Sequence, residues 1–158
     1  MKIAVFPGSF DPITNAHVDI VERAKVLFDK IYVAIGVNTT KKGFFTPEER
    51  LAIVKSVFSP HHGTVEAVQF NGLTVDFCRE VGARFILRGM RNAGDFEFEK
   101  AIAQNNAALA PDIESVFLVS SSGLSHISST IVREIMTNSG NVDQLVPEAV
   151  IESLLRKS

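Results

Sequence analysis

His17 closes a stretch, Phe6-Pro7-Gly8-Ser9-Phe10-Asp11-Pro12-Ile13-Thr14-Asn15-Ala16-His17, whose residue types suit the holding of phosphate. Pro7 and Pro12 fix φ and Gly8 opens backbone angles closed to other residues, so the first half is a stiff bend. Thr14, Asn15 and His17 stand where a helical repeat begins. A helix start offers unpaired N–H groups and the positive end of the helix dipole to an anion. Further stretches carry matching chemistry. Lys41, Lys42, Arg88 and Arg91 can neutralise several negative charges, each arginine through a fork of two hydrogen bonds. Ser128, Ser129 and Thr130 read as a second helix start with hydroxyl donors, and two such starts facing one crevice suit a polyphosphate. Arg88 and Arg91 also read as ion-pair partners of Asp95 and Glu99, and Lys41 and Lys42 as a solvated charged loop.

These residues need a frame that gathers them, and the apolar pattern supplies one. Residues 3–6 form a short apolar run ended by Pro-Gly, which suits a strand buried on both faces of a parallel sheet. Val18, Ile20, Val21, Ala24, Leu27 and Phe28 recur near helical spacing, and that helix is expected to end at Asp29-Lys30. Residues 31–36, 65–70, 83–87 and 114–119 are the other expected strands. Thr46-Pro47-Glu48-Glu49 is a capping box with proline at the first helical position, opening a helix to about Phe58. Further helices are expected over residues 73–81, stopped by Gly82, over 95–109, ended by Pro111, and over 130–137 and 147–156. The chain therefore reads as α/β, a single doubly wound (Rossmann-like) domain with a five-stranded parallel sheet and helices on both faces. Ligands of such sheets bind beyond the carboxyl ends of the strands. The loops expected there are 7–17, 38–45, 71–72, 88–94 and 120–129.

Composition bounds the partners. With 158 residues, 46% of them hydrophobic, the chain suffices for one core spanning residues 1–158. Lys and Arg number 16 against 18 Asp and Glu, so no global attraction to nucleic acid is expected. The single Cys78 cannot build a disulfide framework or a cysteine zinc cluster. His61-His62 sits in a Pro/Gly turn that shows no carboxylate or thiol partners, and no metal site is expected there. No apolar run approaches the roughly 20 residues of a membrane span. Met1-Lys2-Ile3 leads straight into a strand, so the expectation is a cytoplasmic protein without a membrane partner. The 12 phenylalanines fall mostly in strands and helical repeats, which suits core packing.

Residues 7–17 resemble the Thr/His-x-Gly-His loop of the nucleotidylyltransferase superfamily, and Ile127-Ser128-Ser129-Thr130 resembles its second signature. Lys41-Lys42, Leu87-Arg88-Gly89-Met90-Arg91 and Asp95-Phe96-Glu97-Phe98-Glu99 narrow the resemblance to the bacterial phosphopantetheine adenylyltransferases, over essentially the whole chain. The resemblance implies reversible transfer of AMP from ATP to 4′-phosphopantetheine, giving dephospho-coenzyme A and pyrophosphate by direct in-line attack. Magnesium is implied on the ATP phosphates. Catalytic roles are implied for His17, Lys41 and Arg91. ATP contacts are implied for Ser9, Phe10, His17, Gly89, Met90, Arg91, Glu99, Leu124, Ser125, His126, Ile127, Ser128, Ser129 and Thr130. Phosphopantetheine contacts are implied for Ser9, Lys41, Thr74 and Arg88. The family is typically a homohexamer restrained by coenzyme A. The chain departs from the family pattern at Ser9, where Thr is frequent, and at Ala16, where Gly is usual. Two rival readings remain at this stage: the same fold with another acceptor or with CTP, and a nucleotide-sensing module without turnover.

Overall fold

A computed structural model describes residues 1–38, 40 and 42–158 of the chain. Strands β1 (Ile3–Gly8), β2 (Lys30–Gly36), β3 (Val65–Phe70), β4 (Phe85–Met90) and β5 (Glu114–Val119) form one parallel sheet in the order β3-β2-β1-β4-β5. Six helices accompany them: α1 (Asn15–Ala24), α2 (Pro47–Phe58), α3 (Thr74–Val81), α4 (Ala93–Leu109), α5 (Ser129–Thr137) and α6 (Glu148–Lys157). Side chains alternate along β1, so Ala4 and Phe6 join Ile20 and Val21 of α1, Val54 of α2, Val132 of α5 and Val150 of α6. Val5 points the other way, to Val75 and Cys78 of α3. The sheet is thus covered on both faces, as its apolar strands require.

Local chemistry accounts for the helix ends. Thr46 Oγ1 accepts the Glu49 N–H at 3.1 Å and Glu49 Oε1 accepts the Thr46 N–H at 3.4 Å, the reciprocal box legible in the sequence. Gly82 ends α3 in the left-handed region at φ 75°, where a side chain is disfavoured. Asn92 and Ser128 cap α4 and α5 by accepting the N–H groups of Asp95 and Ile131.

Several boundaries differ from expectation: β1 runs on through Pro7 and Gly8, which pair with β2, and β4 starts at Phe85 rather than Ala83. Helix α1 stops at Ala24 instead of continuing to Asp29-Lys30: Val26 and Leu27 are exposed (87% and 45%), and the chain turns to bring Phe28 back to the core. Helix α4 starts at Ala93, two residues before Asp95, because Asn92 supplies the cap. Strand β4 runs on through Arg88, Gly89 and Met90, which sequence polarity placed in a loop. Its backbone keeps pairing with β5 as far as Met90↔Val119, and ladder hydrogen bonds do not depend on side-chain polarity.

One register feature makes room for a site. Pairing of β1 with β2 extends to Gly8↔Ile35, but β1 and β4 pair only at Ala4↔Phe85 and Val5↔Ile86. Past those residues the two strands diverge. Strand order reverses at the same place, the switch point where such sheets bind ligands.

Candidate active site

The opening between β1 and β4 is a cavity of about 300 Å³. Its floor is the β1–α1 loop with Ser9 and Phe10, and one wall is the start of α1 with Ala16 and His17. Arg88, Gly89 and Arg91 enter from β4 and the residue beyond it, and Ile127, Ser128, Ser129 and Thr130 from the start of α5. Glu99 and Asp95 line it from α4. The two helix starts are tied to one loop, since Ser129 Oγ donates to Pro12 O at 3.0 Å and Arg133 Nη1 to Asp11 O at 2.9 Å. Both helix starts line the same cavity. Gly89 keeps the wall close: a Cβ there would stand 3.2 Å from Ile20 Cγ1.

His17 occupies the third helical position of α1. Thr14 Oγ1 accepts the His17 N–H at 3.4 Å, and His17 Nδ1 accepts the Thr14 N–H at 3.0 Å, so histidine takes the place glutamate holds in an ordinary capping box. With Nδ1 accepting, the neutral ring carries its proton on Nε2. Burial first, and then the positive charges of Arg88 and Arg91, push its pKa down from 6.5 to about 4. The ring is therefore a neutral donor at physiological pH. Phe10 packs edge-on against it with centroids 5.0 Å apart.

The arginines are held by acids. Arg88 Nε and Nη2 donate to Glu99 at 2.9 and 2.7 Å, and Nη1 donates to Pro7 O at 2.6 Å, spanning the gap between β4 and β1. Arg91 donates to Asp95 through its backbone N–H (2.8 Å) and its guanidinium (3.2 Å). Burial alone would raise the Asp95 carboxyl, but the hydrogen bonds and charge of Arg91 outweigh it and hold the group below its ordinary value. Of the two sequence readings of these arginines, ion pairing is observed for both, and each also lines the cavity.

A second cavity, about 270 Å³, opens behind Arg88 between β4, β5, α3 and α4. Phe70, Ile86, Ile102, Ala103 and Phe117 make its walls apolar, with Thr74 and Asn106 as polar points. It shares only Pro7, Gly8, Arg88 and Glu99 with the first.

Sorted by place, Ser9, Phe10, His17, Gly89, Arg91, Ile127, Ser128, Ser129 and Thr130 line the first cavity, Thr74 the second, and Arg88 and Glu99 both. Met90, Leu124, Ser125 and His126 lie in the neighbouring strand end and loop without lining either. Lys41 lies outside the described residues. Among the described residues no group of three or more His, Cys, Asp or Glu side chains is placed to cage an ion, and no helix is long and apolar enough to cross a membrane. His61, expected without a carboxylate partner, has one: its Nε2 is 3.1 Å from Glu22 Oε1 on α1, a neighbour distant in sequence. Sequence reasoning also gave no role to Asp11, Arg50 or Arg133, whose bonds include partners 34, 41 and 122 residues away.

A family model described as cytidylyltransferase-like matches residues 5–135. The chain belongs to that family of nucleotidyltransferases. Its relatives include the phosphopantetheine adenylyltransferase of Christiangramia forsetii, 51% identical over 95% of this chain and 98% of the relative. That of Leuconostoc citreum is 50% identical over 98% and 97%, and that of Clostridium botulinum 45% identical over 100% and 99%. Within the class, the chain is a member of the phosphopantetheine adenylyltransferase family.

Proposed function

We propose that this chain joins ATP and 4′-phosphopantetheine, releasing pyrophosphate and dephospho-coenzyme A in coenzyme A biosynthesis. The observation that supports this best is the meeting of two unlike cavities at Arg88. The first, with its helix starts, hydroxyls and arginines, suits a nucleoside triphosphate. The second suits a long, mostly apolar arm with a few amides, and Arg88 at the junction suits the phosphate at the end of that arm. Lys41 is assigned to that phosphate by the resemblance.

The acceptor's phosphate oxygen is already nucleophilic, so attack on the α-phosphorus requires no covalent intermediate and no strong base. Positioning and charge stabilisation carry the rate. A cation 4 Å from an oxyanion contributes about 4 kcal/mol at an effective dielectric near 20, before desolvation. An effect of that size confined to the transition state is worth roughly a thousandfold. His17 Nε2–H donates to an α-phosphate oxygen on which charge develops in the transition state, and Arg91 neutralises the nucleotide phosphates. The cavity's two carboxylates are each bound to an arginine, which fits a magnesium ion carried on the ATP oxygens with its own waters rather than caged by protein. Bound there, magnesium neutralises phosphate charge.

Association into a homohexamer, restraint by coenzyme A and a cytoplasmic site of action complete the proposal. Exposed Phe96, Phe98, Ile102 and Leu109 on α4 support an oligomer, because apolar residues repeated along one helix favour a covered face. Sedimentation tests the hexamer, and competition by coenzyme A against phosphopantetheine tests the restraint. The reaction itself is tested by pyrophosphate release with ATP or CTP and a panel of acceptors including nicotinamide mononucleotide. Release with ATP and phosphopantetheine is expected; none with that pair overturns the proposal.

A further inference from the structure

Behind the phosphate loop, outside both cavities, Arg50 of α2 is 7% exposed and Asp11 is 5% exposed. Buried charges demand partners, and these two divide them between separate parts of the chain. Asp11 Oδ2 and Oδ1 accept the N–H groups of Phe44 and Phe45 at 2.8 and 2.9 Å. Arg50 Nε donates to Phe45 O at 3.0 Å, and Nη1 reaches across to Ser9 O at 3.1 Å. The charges themselves are 4.0 Å apart. The packing is close enough that a Cβ on Gly43 would stand 2.6 Å from Asp11 Oδ2.

The bond to Ser9 O has a consequence on the cavity side. Phe10 has φ 47°, a region disfavoured for a bulky residue and maintained only where the surroundings enforce it. Its ring is 3% exposed and wedged between Phe6 and His17. In a trans peptide the carbonyl oxygen and the following N–H point to opposite sides. With Ser9 O held from behind by Arg50, the Phe10 N–H faces the cavity that Ser9 and Phe10 line, and it has no hydrogen-bond acceptor among the described residues. We infer that Arg50 is a positioning residue for the nucleotide phosphates, holding the Ser9–Phe10 peptide so that the Phe10 N–H is a preset anion donor. The inference rests on the proposed function only in taking the anion to be a nucleotide phosphate.

Arg50→Lys keeps a positive charge beside Asp11 but cannot hold both carbonyls with the planar fork of the guanidinium. In this variant kcat/KM for ATP is expected to fall roughly tenfold or more, as small misplacements near a reacting group do. Affinity for adenosine, which lacks the phosphates, is expected to stay within about twofold. Equal losses for ATP and adenosine, or wild-type kinetics, overturn the inference. If the variant does not fold, the wild type decides by amide hydrogen exchange. The Phe10 amide is expected to exchange freely without nucleotide and to be slowed about tenfold or more by saturating ATP. An amide protected without nucleotide, or unaffected by ATP, overturns the inference. Protection by ATP in a protein that proves inactive with phosphopantetheine refutes the proposed acceptor and leaves the role of Arg50 standing.

Discussion

The two faces of the sheet are built differently. Beneath α1, α2, α5 and α6 lies a continuous core in which Ile31, Val33, Ile35, Val54, Val132 and Val150 are fully buried. On the other face α3 packs well, but α4, the longest helix, buries a single residue, and that residue is Glu99. The first face carries the β1–α1 loop, His17 and the start of α5, to which the proposed function assigns the nucleotide phosphates. The second carries the acids that hold Arg88 and Arg91. The sheet thus separates a rigid donor frame from an arginine holder anchored through a polar contact, and the two meet where Arg88 crosses to Pro7 O.

The largest effect is expected at the donor frame. His17→Ala should lower turnover by about two to three powers of ten, as loss of an oxyanion donor does, with the fold intact and a stability loss of about 1 kcal/mol or more from the missing cap; near-normal turnover would remove His17 from the mechanism. Packing tests the contrast itself. Ile35→Ala should cost about 2–5 kcal/mol in denaturant unfolding, whereas Ile102→Ala on half-exposed α4 should cost about 1 kcal/mol or less in the dissociated chain. Comparable costs would mean that α4 is anchored as firmly as the rest. At the junction, Arg88→Ala should weaken phosphopantetheine about tenfold more than ATP; isothermal titration showing equal losses would take Arg88 away from the acceptor.

The smallest effect is on pH dependence. His17 is held at about 4 in the folded protein against 6.5 when unperturbed. Between those values the unfolded chain binds the extra proton, so this residue's contribution to stability is present above pH 6.5 and lost as pH falls toward 4. NMR titration of the imidazole should show a pKa well below the ordinary value, and turnover should show no His17 step from about pH 6 to 8. A titration near 6.5 would mean that neither burial nor the arginines act on the ring as described.

What could be read from the sequence is what local chemistry decides. The capping box of α2, the stop at Gly82 and the apolar runs of β2, β3 and β5 each depend on residues within a few positions. The two helix starts that line the first cavity were legible because serine, threonine and glycine have recognisable work at such places. Strand β4 was read three residues short, since Arg88-Gly89-Met90 ends the apolar pattern while the ladder with β5 continues. Helix α1 was read too long because Leu27 and Phe28 fit its period, although only Phe28 is buried. Arg50 carried no signal at all: it looks like any charged residue in α2, and its meaning comes from Ser9, 41 positions away.

The four residues common to both cavities have a further implication for descent. In the proposed function the segments that choose an acceptor, around Phe70, Thr74, Asn106 and Phe117, come from β3, α3, α4 and β5, and of these only α4 also lines the nucleotide side, through Asp95 and Glu99. Mutations could therefore reshape the acceptor cavity while the phosphate loop and His17 stayed untouched. A single scaffold divided along Arg88 permits new acceptors to be tried in succession without activation of the nucleotide having to be invented again.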